Sequence, residues 1–178
     1  MADTWLFGRS ARYVTPNGKL SYPTVFEPQG FQGSDPKYSC SVLVDKNDRD
    51  CAVMLEKLEQ MQEDAIAATF PDGKVPRNFE RWGITNGDEL SDPTAEGHWV
   101  VKASNKSKPA VVDADKTEIL EASTVYGGAI GRLNIVAKAY GTKTKGGVTF
   151  ELLAVQKTDD GTPFGGAAKA VADAVADF

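Results

Sequence analysis

The chain has 178 residues, 41% apolar and 25% charged, with a formal net charge of −5. That suffices for one domain with a sizeable core plus a tail, at a charged fraction ordinary for soluble proteins. No apolar run nears the roughly 18 residues of a membrane span, and the first residues lack a signal peptide's order, so a cytosolic protein without membrane contact is expected.

Residues 4–14, TWLFGRSARYV, read as a strand broken at Gly8. Pro16-Asn17-Gly18 then signals a tight turn, because Asn and Gly tolerate positive φ, and residues 20–26 return as the second arm of an N-terminal hairpin. Pro23 there marks an edge or a break in the ladder. Over residues 37–44, Tyr38, Cys40, Val42 and Val44 alternate with Lys37, Ser39 and Ser41, a strand with one buried face.

Residues 48–69 change to a helical period. Cys51, Met54, Leu58, Met61 and Ala65 form one stripe, and Asp48 is the expected N-cap. The opposite face carries Glu56, Glu59, Glu63 and Asp64, and should be solvated and turned away from any nucleic acid. Residues 70–97 are rich in Pro, Gly, Asn and Asp, a loop far longer than the usual connection of about 4–6 residues. Arg77, Arg81 and Trp82 cluster there. Phe79 suits a cap on the core, while Trp82 suits either capping or base stacking.

Strand patterns at 98–103 and 109–112 follow, joined by a Ser–Lys turn. The longest strand is expected at 129–140, with Leu133, Ile135, Ala137 and Ala139 on one face and Arg132, Asn134, Lys138 and Tyr140 on the other. GTKTKGG reverses the chain into residues 148–157. Composition shifts near residue 158, so a folded domain over 1–158 and a flexible acidic tail over 159–178 are expected. From residue 159 onward there are four aspartates against one lysine, and Val171, Val175 and Phe178 recur at roughly helical spacing. Asp173, Asp177 and Phe178 are the candidate partner-docking residues of that tail.

Catalytic chemistry finds little support. One histidine, His98, and two separated cysteines, Cys40 and Cys51, offer no zinc-ligand spacing, and buried thiols are expected rather than a disulfide. The glycines of YGGAIGR lead into a strand pattern, the wrong context for a phosphate loop opening a helix. The chain therefore reads as no enzyme, with no cofactor and no metal.

Two long segments, 97–112 and 122–150, contain no acid although the chain is net negative. A surface along which a polyanion lies has that character. The alternative is a pair of hairpins with ordinary solvated lysines. Cations and rings sharing one strand face favour the first, since phosphates need charge and bases need π-surfaces. The phosphate candidates are Lys37, Lys102, Lys106, Lys108, Arg132, Lys138, Lys143 and Lys145. Trp99 and Tyr140, then Tyr22, Trp82 and Tyr126, are the stacking candidates, although alternation also allows Trp99 a place in the core. Ser104, Asn105 and Asn134 are the polar candidates.

Three strand patterns, a helix and a basic run of strands match a mainly β chain with one main helix: an OB-fold-like five-stranded barrel with an extra N-terminal hairpin and a long inserted loop, its helix between the third and fourth strands. The ordered motifs LSYPTVFEP, DPKYSCSVLVDK, NGDELSDPTAEGHWVVKAS, SKPAVVDAD, VYGGAIGRLNIVAKAY and GVTFELLAVQK resemble the bacteriophage single-stranded DNA-binding proteins related to that of phage Enc34, over about residues 20–166. The resemblance implies an OB-fold, sequence-independent binding of single-stranded DNA, and a role in phage replication or recombination. It also implies a tail that recruits partners such as a DNA polymerase and competes for the empty groove. Here alanine and valine dilute the acids of that tail. A homodimer is compatible with this reading. The rival function is a phage structural or assembly protein that uses the barrel for protein contacts, with a nuclease as a weaker one.

Overall fold

A computed structural model describes residues 4–30, 33, 35–164, 174, 175 and 178. Its strands are β1 (Leu6–Arg9), β2 (Tyr13–Val14), β3 (Gly18–Gln29), β4 (Lys37–Asp45), β5 (Asn78–Arg81), β6 (Ile84–Asn86), β7 (His98–Asn105), β8 (Ala110–Val112), β9 (Ile130–Gly141) and β10 (Lys145–Asp159). The main helix among the described residues, α1 (Cys51–Thr69), lies between β4 and β7.

Five strands close a ring: β3 pairs with β4, β4 with β7, β7 with β10, β10 with β9, and β9 returns to β3. This is the five-stranded OB-type barrel that the sequence implied. Strand alternation fills it. Leu20, Val42, Val44, Val101, Leu133, Ile135, Phe150 and Leu152 are all fully buried inside. The helix stripe Cys51, Met54, Leu58, Met61 and Ala65 joins the same core, as its spacing predicts. The cap differs by two residues: α1 starts after Asp50, while Asp48 accepts from the backbone N–H of Asp50 in the preceding turn. Cys40 and Cys51 are free and buried.

The helix follows the second ring strand, not the third. Residues 4–14 look like a first barrel strand, yet they lie outside the ring. β1 and β2 add to β9, and β2 forms no hairpin with β3. Asn17-Gly18 makes no reversal, and the chain runs straight on along β9. Nor does Gly8 break β1. A Cβ there would run into the Thr69 hydroxyl and the backbone of Ala68, so the bare glycine lets the last turn of α1 lie against the strand.

The expected loop 70–97 holds two short strands and two 3-10 turns, Gly87–Glu89 and Pro93–Ala95. β5 runs parallel to the start of β10 and β6 antiparallel to the start of β7. β7 and β10 themselves pair only at Ser104 and Glu151, so this insertion fills the gap between them. Phe79 packs on the core edge-on to Phe70, with ring centroids 5.9 Å apart. β8 pairs in parallel with β10 rather than folding back on β7.

Candidate nucleic-acid interface

Alternation also determines what faces outward. On β7, Val101 and Ala103 are buried while Lys102 between them is exposed. On β9, Lys138 and Tyr140 stand opposite Thr149 and Gly147 of β10 and share their face. An open groove of about 530 Å³ runs over this outer face. Five separated stretches line it: Lys37; Trp82, Gly83 and Thr85; Lys102, Ser104, Asn105 and Lys106; Lys138 and Tyr140; Thr149 and Glu151.

The groove carries four lysines against one acid. Lys106 pairs with Asp35 at 2.9 Å on the rim, and the contact holds the Asp35 carboxyl below its ordinary pKa. Trp82, at the β5–β6 junction, is 54% exposed, and its backbone N–H donates to the carbonyl of Val148. Tyr140 lies beside it. Burial raises the phenol's pKa, Glu80 adds to the rise and the Trp82 indole opposes it, so the ring is neutral at physiological pH. Gly147 makes room for that ring: a Cβ there would come within 2.7 Å of the Tyr140 hydroxyl oxygen. Asn105 is committed to the protein, donating from Nδ2 to Leu152 O and accepting at Oδ1 from the Ser107 N–H. Such a groove offers charge, ring faces and hydroxyls, with little that reads base identity. None of the acids of α1 lines it.

The family model described as Enterobacter phage Enc34, ssDNA-binding protein, matches residues 11–177. The chain belongs to that family. The Enc34 single-stranded DNA-binding protein, solved in complex with ssDNA, superposes with a TM-score of 0.70 at 26% identity, covering 86% of this chain and 89% of that one. Among sequences, protein p50 of Acyrthosiphon pisum secondary endosymbiont phage 1 is 26% identical over 160 residues, 84% of each chain. gp2.5, a single-stranded DNA-binding protein of bacteriophage T7, shares the fold with a TM-score of 0.64 at 17% identity, covering 92% of this chain and 94% of its own.

In this member of the Enc34 family, eight of the residues singled out in sequence line the groove: Lys37, Trp82, Lys102, Ser104, Asn105, Lys106, Lys138 and Tyr140. Tyr22 stands over a second cleft of about 270 Å³ that shares Thr85 and Lys102 with the first. A one-residue shift between Ser21 and Thr24 ejects it, with φ of +47° at Tyr22, which fits the ladder break expected at Pro23.

The others lie elsewhere. Trp99 shares the inner face with Val101 and Ala103 and packs on the core, with Lys46 over its ring, so it offers the groove no platform. Asn134 has its Oδ1 buried without a partner among the described residues. Arg132 is bound by Gln156, about 20 Å along β9 from Lys138 at ~3.3 Å per residue. Tyr126 is bonded to Asp160 and Gly161 and anchors the chain after β10. Lys108 lies over Phe26, and Lys143 lines a separate cleft with Phe70 and Pro71. Lys145 sits over Trp5. Arg81 turns away to Glu63 of α1. Phe178 is fully exposed, while Asp173 and Asp177 lie outside the described residues.

Sequence reasoning missed Glu151, the residue after an acid-free span. It also missed Trp5, Phe7 and Arg9, which β1 brings beside the groove. Their period of two, aromatic, aromatic, basic, is visible in TWLFGR once that run is placed against β9.

Proposed function

We propose that the chain coats single-stranded DNA without sequence preference, as a non-enzymatic protein of phage replication or recombination. The strand lies along the groove, with Lys37, Lys102, Lys106 and Lys138 against phosphates and Trp82 and Tyr140 under bases. One observation carries this reading: cations and rings from five distant stretches meet on one open face of an OB barrel, in a family described as ssDNA-binding. A lysine ammonium is a point charge and a ring face accepts any base, so the groove discriminates weakly among sequences. Duplex DNA hides its base faces and gains only the phosphate contacts.

Among the described residues, no three His, Cys, Asp or Glu side chains come together as a metal-holding group, and no helix is long and apolar enough to cross a membrane. The net acidic segment 159–178 is the part we assign to protein partners such as a DNA polymerase.

Anisotropy titrations with labelled oligo-dT and matched duplex test the reading. Single strands should bind more tightly, and Tyr140→Ala should weaken oligo-dT binding by about 1–3 kcal/mol with the circular dichroism spectrum unchanged. Equal affinity for duplex, or unaltered affinity in Tyr140→Ala, would refute it.

A further inference from the structure

We propose that the base-stacking path leaves the barrel and continues onto β1 and the residue before it, where Phe7 and Trp5 form a second platform for unpaired bases. The inference rests on the groove being the DNA site. Among the described residues β1 pairs only with β9, and Phe7 stands directly opposite Tyr140 in an antiparallel register, so both side chains share the outer face. Trp5, two residues earlier, has its ring centroid 6.3 Å from that of Tyr140, tilted by 37°. Both side chains stay open to solvent, 45% for Trp5 and 56% for Phe7, although each is large and apolar. Nothing in the core calls for two exposed rings on an outer strand.

Charge complementarity identifies the occupant. The Lys138 ammonium lies 4.9 Å from the Phe7 ring centre, and that of Lys145 lies 5.5 Å from Trp5. Lys138 and Tyr140 also line the groove, so the two platforms share residues and the surface between them is continuous. Rings with cations beside them are the pairing that single-stranded nucleic acid requires, since each nucleotide presents a π-face and a phosphate about one step apart. A purely apolar partner would leave the Lys145 ammonium unmatched and Lys138 with only Glu151, 3.8 Å away. As a base takes a ring face, its lysine moves to the adjacent phosphate.

The test uses the full chain, with Trp5→Ala/Phe7→Ala as the variant and oligo-dT of about 4 and about 16 nucleotides, the limits of OB-fold site size. The long oligonucleotide should lose about tenfold in affinity per ring removed, and the short one much less. Phe7→Tyr should restore its share. Trp5→Phe should bind normally yet show less quenching of tryptophan fluorescence by the long oligonucleotide than the native chain. Native affinity of the double variant for the long oligonucleotide, while Tyr140→Ala is impaired, would overturn this inference and leave the groove standing. Loss of concentration-dependent self-association in the double variant with DNA binding intact would also overturn it, assigning the patch to a second copy of the chain. Failure of both oligonucleotides to respond to Tyr140→Ala would instead remove the groove on which it rests.

Discussion

Glu151 sits on the groove face with two cations against it: Arg9 Nε donates to Oε1 at 2.5 Å, and Lys138 Nζ is 3.8 Å from Oε2. The carboxylate is only 15% exposed, and its hydrogen bond raises the Arg9 pKa. A phosphate entering the groove must compete with it for both partners. Glu151→Gln keeps the size and an acceptor for Arg9 but removes the charge. Binding of oligo-dT at low salt should then tighten by on the order of 1 kcal/mol, the upper range for such partly exposed pairs. Weaker binding in the same titration would mean that the ion pairs hold the groove in shape rather than compete with DNA. A count of charges along the chain cannot find this residue, because residue 151 directly follows a span without acids and reaches the groove only through its pairing in space with Ser104. The misplacement of Trp99 has a plainer cause. Period-two alternation allows it a place beside Val101 and Ala103, and packing on the core takes that alternative over stacking.

At the scale of elements, the helix and the β9–β10 hairpin were legible because each is local. The placement of residues 6–19 was not. Leu6 pairs with Gly141, Tyr13 with Ile135 and Gly18 with Gly131, so this run extends antiparallel along β9 with two one-residue shifts. Side chains mend the ladder at those shifts: Ala137 N–H donates to Ser10 Oγ and Leu133 N–H to Thr15 Oγ1, each at 3.0 Å. Their own N–H groups donate to the carbonyls of Ala137 and Leu133. These partners are more than a hundred residues apart in the chain, and a local turn signal such as Asn17-Gly18 carries no information about them. Thr15 is 2% exposed, so water cannot replace its hydroxyl. Thr15→Val should cost about 1–3 kcal/mol by leaving the Leu133 N–H unsatisfied, read as a lower urea midpoint at unchanged m-value. Ser10→Ala, at a site where solvent has partial access, should cost less.

Over the whole molecule, a net charge of −5 coexists with a basic groove because most acids are kept on other surfaces, Glu56, Glu59 and Glu63 lining a cleft along α1. Long-range attraction of DNA to the molecule is therefore weak, and binding depends on close contacts within about a Debye length of the groove. Counterion release sets a measurable consequence. Each phosphate neutralised on a single strand contributes about −0.7 to the slope of log K against log salt, so the four groove lysines predict a slope of about −3. Pairing of Lys106 with Asp35 and of Lys138 with Glu151 can only make it shallower, toward about −1.4 if both pairs persist in the complex. Lys102 has no such partner among the described residues, so Lys102→Ala should flatten the slope by about 0.7 as well as weaken binding at every salt concentration. Titrations of native and Lys102→Ala protein across a salt series decide the matter. A native slope near zero would place the affinity in stacking alone, and an unchanged slope in the variant would take Lys102 out of the phosphate path.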